Sequence, residues 1–131
     1  MDSFKALFQS ADWKTEKHSP VIEAQDKVKK GTPVSVRVSV GKQISHPNTT
    51  AHHIRWIGVY FKPDGSKFVY QIGRYEFSAH GASVEGADTS TVYSRPEVET
   101  VFTTEKSGVV YASSYCNIHG LWESSKPIRV E

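Results

Sequence analysis

Val34-Ser35-Val36-Arg37-Val38-Ser39-Val40 alternates valine with a polar residue at every step. Successive side chains of a strand point to opposite faces, so a period of two puts the four valines on one face and Ser35, Arg37 and Ser39 on the other. The stretch predicts a strand with one side on a core and one in water. Downstream, Ile54 to Phe61 and Lys67 to Phe77 are rich in β-branched and aromatic residues and flank Pro63-Asp64-Gly65-Ser66, which predicts a hairpin around a turn. Val98 to Thr104, Val109 to Tyr115 and Pro127 to Val130 read as further strands, with a weaker one over Pro20 to Ala24. About seven short strands with almost no helix predict an all-β fold, an antiparallel sandwich or barrel. At the N-terminus Ser3 can cap a short helix in which Phe4, Leu7, Phe8 and Ala11 share a face, and residues 1–13 are expected to form a helical turn packed on the rest. Gly81 to Arg95, broken by Gly86, Ala87 and Asp88, is expected to be a surface excursion.

The 131 residues carry no repeat, linker or low-complexity tract, so one domain over 1–131 is expected. Hydrophobic residues make up 37% and charged residues 23%, too apolar for a disordered chain. Sixteen Lys and Arg against 14 Asp and Glu leave a formal charge of +2, interspersed along the chain, which argues against nucleic acid or an anionic membrane as partner. No apolar run is long enough for a membrane span, and Met1 to Ser10 lack the pattern of a secretory signal. The expected compartment is the cytoplasm.

A single cysteine, Cys116, excludes an intramolecular disulfide and every multi-cysteine metal framework. Whatever this thiol does, it does alone or with histidines. Of the six, His18 precedes the strand at Pro20, His46 and His52 bracket a loop between two strands, and His119 completes a Cys-x2-His turn after Val109 to Tyr115. If these loops meet at one end of the sandwich, four imidazoles and one thiolate surround one point. In the Cys-x2-His turn, backbone N–H groups at the second and third positions can point back at the sulfur and tune its donor strength. His53 and His80 read as ordinary structural histidines.

The number of donors bears on the metal. Structural zinc closes with four ligands, so a fifth is surplus. A blue-copper site uses two His, one Cys and usually an axial Met, and Met1 is the only methionine here, yet copper stays open as the second choice. Four imidazoles in a plane with one axial thiolate suit iron and leave one face free for a small ligand. Beside that face Glu16 could cover the open position and Lys17 could attract an anion.

Glu16-Lys17-His18-Ser19-Pro20, His46-Pro47-Asn48-Thr49-Thr50-Ala51-His52-His53-Ile54 and Ser114-Tyr115-Cys116-Asn117-Ile118-His119-Gly120-Leu121-Trp122 together resemble the superoxide reductases, the neelaredoxin and desulfoferrodoxin family. The resemblance runs from about Lys14 to the C-terminus. It implies an immunoglobulin-like antiparallel β-sandwich and a mononuclear iron held by His18, His46, His52 and His119 in the equatorial plane, with Cys116 axial. It further implies that Glu16 binds the ferric ion at the sixth position and that Lys17 attracts superoxide. Two-iron members have an additional four-cysteine domain, so this chain is similar to the one-iron, neelaredoxin type. Ala51 stands where many relatives carry an acidic residue.

The reaction implied is one-electron reduction of superoxide to hydrogen peroxide, with an external donor such as rubredoxin restoring the ferrous state, in a homotetramer. Four neutral imidazoles and a thiolate leave a ferrous centre net positive, which favours approach of an anion. Three alternatives stand beside it: a cupredoxin-like copper electron carrier, a zinc-binding sandwich without catalysis, and superoxide dismutase activity at the same iron.

Overall fold

The four valines of β3 (Val34–Val40) form the centre of the core: Val34, Val36 and Val38 are at most 1% exposed. The computed structural model describes residues 1–131. On one side β3 pairs antiparallel with β1 (Pro20–Ala24), and on the other with β6 (Glu97–Phe102), giving a three-stranded sheet in the order β1-β3-β6. A five-stranded sheet faces it, in the order β2-β8-β7-β4-β5, built from β2 (Lys27–Val28), β4 (Ile54–Pro63), β5 (Tyr70–Glu76), β7 (Gly108–Cys116) and β8 (Gly120–Val130). Between the sheets the valines pack with Ile57, Val59, Phe61, Val110, Ala112 and Ile128, all 3% exposed or less. This all-β sandwich is the fold class that the alternation predicts. No helix is long and apolar enough to cross a membrane.

The β4–β5 hairpin forms as expected, with Ser66 N–H donating to Pro63 O at 3.1 Å and Gly65 at a φ of +78°, a conformation that glycine adopts without penalty. Three expectations need correction. There are eight strands rather than about seven, and one pair is parallel, with Lys27 and Val28 opposite Arg129 and Val130. A two-residue strand has no period to read. Strand β8 begins at Gly120 rather than Pro127: its polar stretch Glu123-Ser124-Ser125-Lys126 has low strand propensity, but the continuous ladder with β7, from Cys116↔Gly120 to Gly108↔Ile128, imposes the conformation.

The third correction is at the N-terminus. Only a single 3-10 turn forms, over Phe4–Leu7, and no helix continues to Ala11. Ser3 makes no side-chain cap bond, and Phe4 and Leu7 stay 66% and 57% exposed, so neither capping nor burial supports a longer helix. The chain extends instead, and Gln9 joins β8 through Gln9 N–H to Leu121 O at 3.0 Å and Glu123 N–H to Gln9 O at 2.9 Å.

Register fixes what lies at one end of the sandwich. Pro20 is opposite Val40, Ile54 is opposite Cys116, and Cys116 is opposite Gly120. The segment before β1, the β3–β4 loop and the β7–β8 turn therefore emerge together, carrying His18, His46, His52 and His119 beside Cys116, the last residue of β7.

Candidate metal centre

Four imidazoles form a closed quadrilateral at this end. Ring centroids are 4.8 Å apart for His18 and His46, 4.7 Å for His46 and His52, 5.0 Å for His52 and His119, and 4.6 Å for His119 and His18. The diagonal from His18 to His52 is longer, at 6.3 Å. Similar sides with a longer His18–His52 diagonal depart from a regular tetrahedron, which would make all the separations alike. The ligating atoms of His18, His52, Cys116 and His119 all lie within 4.8 Å of one another. His119 Nδ1 lies 3.1 Å from His18 Nε2 and 3.2 Å from His52 Nε2. Metal–nitrogen bonds of about 2.1 Å hold their nitrogens about 3.0 Å apart at right angles and about 3.4 Å apart at the tetrahedral angle. The 3.1 Å edge is closer to the right-angled arrangement and the 3.2 Å edge lies midway between the two. Cys116 Sγ, fully buried, lies 3.2 Å from His52 Nε2 and 3.7 Å from His119 Nδ1.

Outer hydrogen bonds set the tautomers. A carboxylate or a carbonyl only accepts, so His18 Nδ1–H donates to Glu16 Oε1 at 2.6 Å and His46 Nδ1–H donates to Pro47 O at 2.6 Å. Each bond leaves the Nε2 lone pair free, the arrangement that a metal-bound histidine requires. His46 Nε2 is buried and has no hydrogen-bond partner. Lone pairs converging on one another without enough protons to join them are matched by a cation, so the donor set fits a metal ion. Burial outweighs the bond to Pro47 O and, with the Lys17 charge adding to it, lowers His46 to about 4, and burial also pushes His52 down. Both shifts favour the neutral ring, the form that binds metal.

A family model for desulfoferrodoxin matches residues 10–125. The chain belongs to the desulfoferrodoxin family. It is 59% identical to a superoxide reductase of Pyrococcus furiosus, over 88% of this chain and 91% of that one. It is 53% identical to a neelaredoxin of Megalodesulfovibrio gigas, over 95% and 96%. Among solved structures, the superoxide reductase (neelaredoxin) of Archaeoglobus fulgidus in the reduced form superposes with a TM-score of 0.88 at 58% identity, covering 94% of this chain and 98% of that one.

In this member of the desulfoferrodoxin family the remaining residues singled out by sequence are placed as follows. Glu16 stands behind His18, accepting from its Nδ1 and from its backbone N–H at 3.0 Å, and the first of these bonds holds the carboxyl below its ordinary range. Lys17 is half-buried at the rim with Glu16, Ile44 and His119. Ala51 is exposed. The sulfur accepts a backbone N–H from His119, the fourth residue of the Cys-x2-His turn, at 3.4 Å, while the second residue, Asn117, gives its N–H to His53 O at 3.2 Å. His53 and His80 stay outside the quadrilateral and stack on each other.

Two supporting residues were not identified from sequence. Asn117 joins the turn of Cys116 and His119 to the loop of His52, donating from Nδ2 to Ala51 O and accepting His53 N–H on Oδ1, both at 2.9 Å. Trp122 stacks on His18, with centroids 4.9 Å apart and planes 13° apart, and its Nε1–H donates to His119 O at 3.3 Å. A side-chain amide within a ligand turn and a tryptophan just after it are the signals that could have indicated them.

These ring environments make the metal-free protein sensitive to acid. His46 titrates near 4 when folded against an ordinary 6.5, so between these values the unfolded chain binds more protons. Its contribution to stability is complete above 6.5 and lost as pH falls through 4; His52 and His80, also lowered by burial, act in the same direction. The urea midpoint of metal-free protein should fall between about pH 7.5 and about pH 5. An unchanged midpoint would mean that these rings titrate normally.

Proposed function

We propose that this protein is a superoxide reductase of the one-iron, neelaredoxin type. The observation that carries the reading is the ring of four imidazoles beside one buried thiolate, with the ligating atoms of His18, His52, Cys116 and His119 within 4.8 Å of one another and His46 completing the ring. That count disfavours structural zinc, and four imidazoles exceed the two of a blue-copper site. His18, His46 and His52 would hold iron through Nε2, His119 through Nδ1 and Cys116 through Sγ. Bound iron supplies the single electron that, with two protons, converts superoxide to hydrogen peroxide. The names carried by the relatives from Pyrococcus furiosus and Archaeoglobus fulgidus support the same activity.

The chain's own residues prepare that step. Glu16 and Pro47 O orient His18 and His46 and hold a proton on Nδ1, which leaves Nε2 as the atom free to bind a metal. Trp122 keeps His18 in place by stacking and anchors the His119 backbone. Lys17 contributes positive charge at the rim, where an anion would enter. For Glu16 to cover the ferric ion it would have to release His18 Nδ1, so its orienting and covering roles would alternate. An external donor such as rubredoxin would restore the ferrous state, a homotetramer is the expected assembly, and a reducing cytoplasm would preserve the free thiol of Cys116.

Metal analysis of the purified protein, together with its visible spectrum, tests the reading. One iron per chain with a thiolate-to-ferric absorption band is expected; copper, or a colourless zinc protein, would contradict it. Lys17→Ala should slow the bimolecular reaction with superoxide by roughly two- to tenfold and flatten its dependence on ionic strength, because salt screens a steering charge over about 10 Å at 0.1 M. Stopped-flow rates across a salt series check this, and a salt dependence identical to that of wild type would remove Lys17 from the role.

A further inference from the structure

The segment from Phe77 to Pro96, between β5 and β6, carries no member of the quadrilateral, yet it grips the loop that carries His46 and His52. Thr50 N–H and the Thr50 hydroxyl both donate to Asp88 Oδ1, at 2.8 and 3.2 Å. Asn48 Nδ2–H donates to Ser94 O at 2.8 Å. His80 lies flat on His53, with ring centroids 3.6 Å apart and planes 4° apart, and His53 Nδ1–H donates to Thr49 O at 2.7 Å. The loop's own bonds, Thr49 N–H to His52 O at 2.9 Å and His52 N–H to Thr49 Oγ1 at 3.0 Å, close only its C-terminal turn.

The segment is built to be held against something. Its ends are tied by Ser94 N–H to Ala79 O at 2.8 Å and Ala79 N–H to Ser94 Oγ at 3.0 Å, and its middle is tied by Thr89 and Ser90 N–H to Gly81 O at 3.0 and 3.1 Å. Asp88 has a φ of +59° and is the one non-glycine residue in the left-handed region. That conformation is unfavourable for most side chains and tolerated best by Asn and Asp. The unusual backbone thus occurs at the residue whose carboxylate reaches Thr50.

We propose that residues 77–96 act as a brace that fixes the His46–His52 loop in its coordinating geometry, with Asp88 as the principal positioning residue. The proposal rests on the reading of the four histidines and Cys116 as the iron site. Two ligands share this loop, so opening it would loosen both together. A brace that makes opening rarer slows metal loss without touching the metal.

Three variants separate the carboxylate from the backbone. Asp88→Gly removes the acceptor but accommodates positive φ, Asp88→Ala removes both the acceptor and the tolerance, and Asp88→Asn keeps both. Iron release into excess chelator should be about three- to tenfold faster in the Gly and Ala variants and within about twofold of wild type in the Asn variant. In the iron-free protein, amide exchange at Thr50 should follow the same order, so the brace is tested even if the wild type holds no iron. Wild-type release and exchange in Asp88→Gly would overturn the proposal, including the case where Ala alone is fast, which would assign the effect to backbone strain. An Asn variant as fast as Gly would overturn it too. Should the Ala variant fail to fold, the Gly and Asn variants decide the question.

Discussion

Cys116→Ser should erase the visible absorption of the iron-loaded protein while leaving the sandwich folded. The band requires a sulfur orbital to donate from, and the chain has no second thiol. Serine is nearly isosteric, and its oxygen can accept the His119 N–H that the sulfur now accepts at 3.4 Å, so the buried end of β7 has no reason to unravel. Losing an outer partner of a metal ligand typically costs about 10- to 100-fold in metal affinity, and losing a donor atom should cost no less. The visible spectrum, the iron content and far-ultraviolet circular dichroism of the variant check the three parts of this expectation. A surviving band would remove the thiolate from the centre.

His46→Ala should have a comparable effect on iron retention for a different reason. The ring closes two sides of the quadrilateral, at 4.8 Å from His18 and 4.7 Å from His52, and its Nε2 is buried without a partner. An unpaired buried acceptor is costly unless something binds it, and an ion held among the four rings would supply that partner. The variant should retain at most about a tenth of the wild-type iron after exposure to a chelator. Wild-type retention would place His46 outside the centre and leave its orphan nitrogen unexplained.

The sandwich was legible because alternation is local: the valines of β3 declare their buried face within seven residues. Strand β2 and the first half of β8 were not legible, since their conformation comes from ladders with partners distant in sequence. The same division holds at the centre. Three loops with imidazole or thiolate side chains could be read from spacing and strand ends, and the register Ile54↔Cys116 brings them to one place. Which nitrogen each ring presents was not readable, because that depends on acceptors such as Glu16 Oε1 and Pro47 O lying against Nδ1. Nor could the chain show that Asp88, inside an irregular stretch, reaches Thr50 from 38 residues away.

The central claim, reduction rather than dismutation, is tested most directly by measuring hydrogen peroxide and oxygen in one reaction, with a known amount of superoxide and an excess of electron donor. Thiolate donation to bound iron, and coverage of the oxidised centre by Glu16 once released from His18, would both disfavour taking an electron from superoxide. The account predicts one hydrogen peroxide formed and one electron drawn from the donor for each superoxide consumed, with no oxygen released. One peroxide for every two superoxide, with oxygen released and the donor untouched, would contradict it.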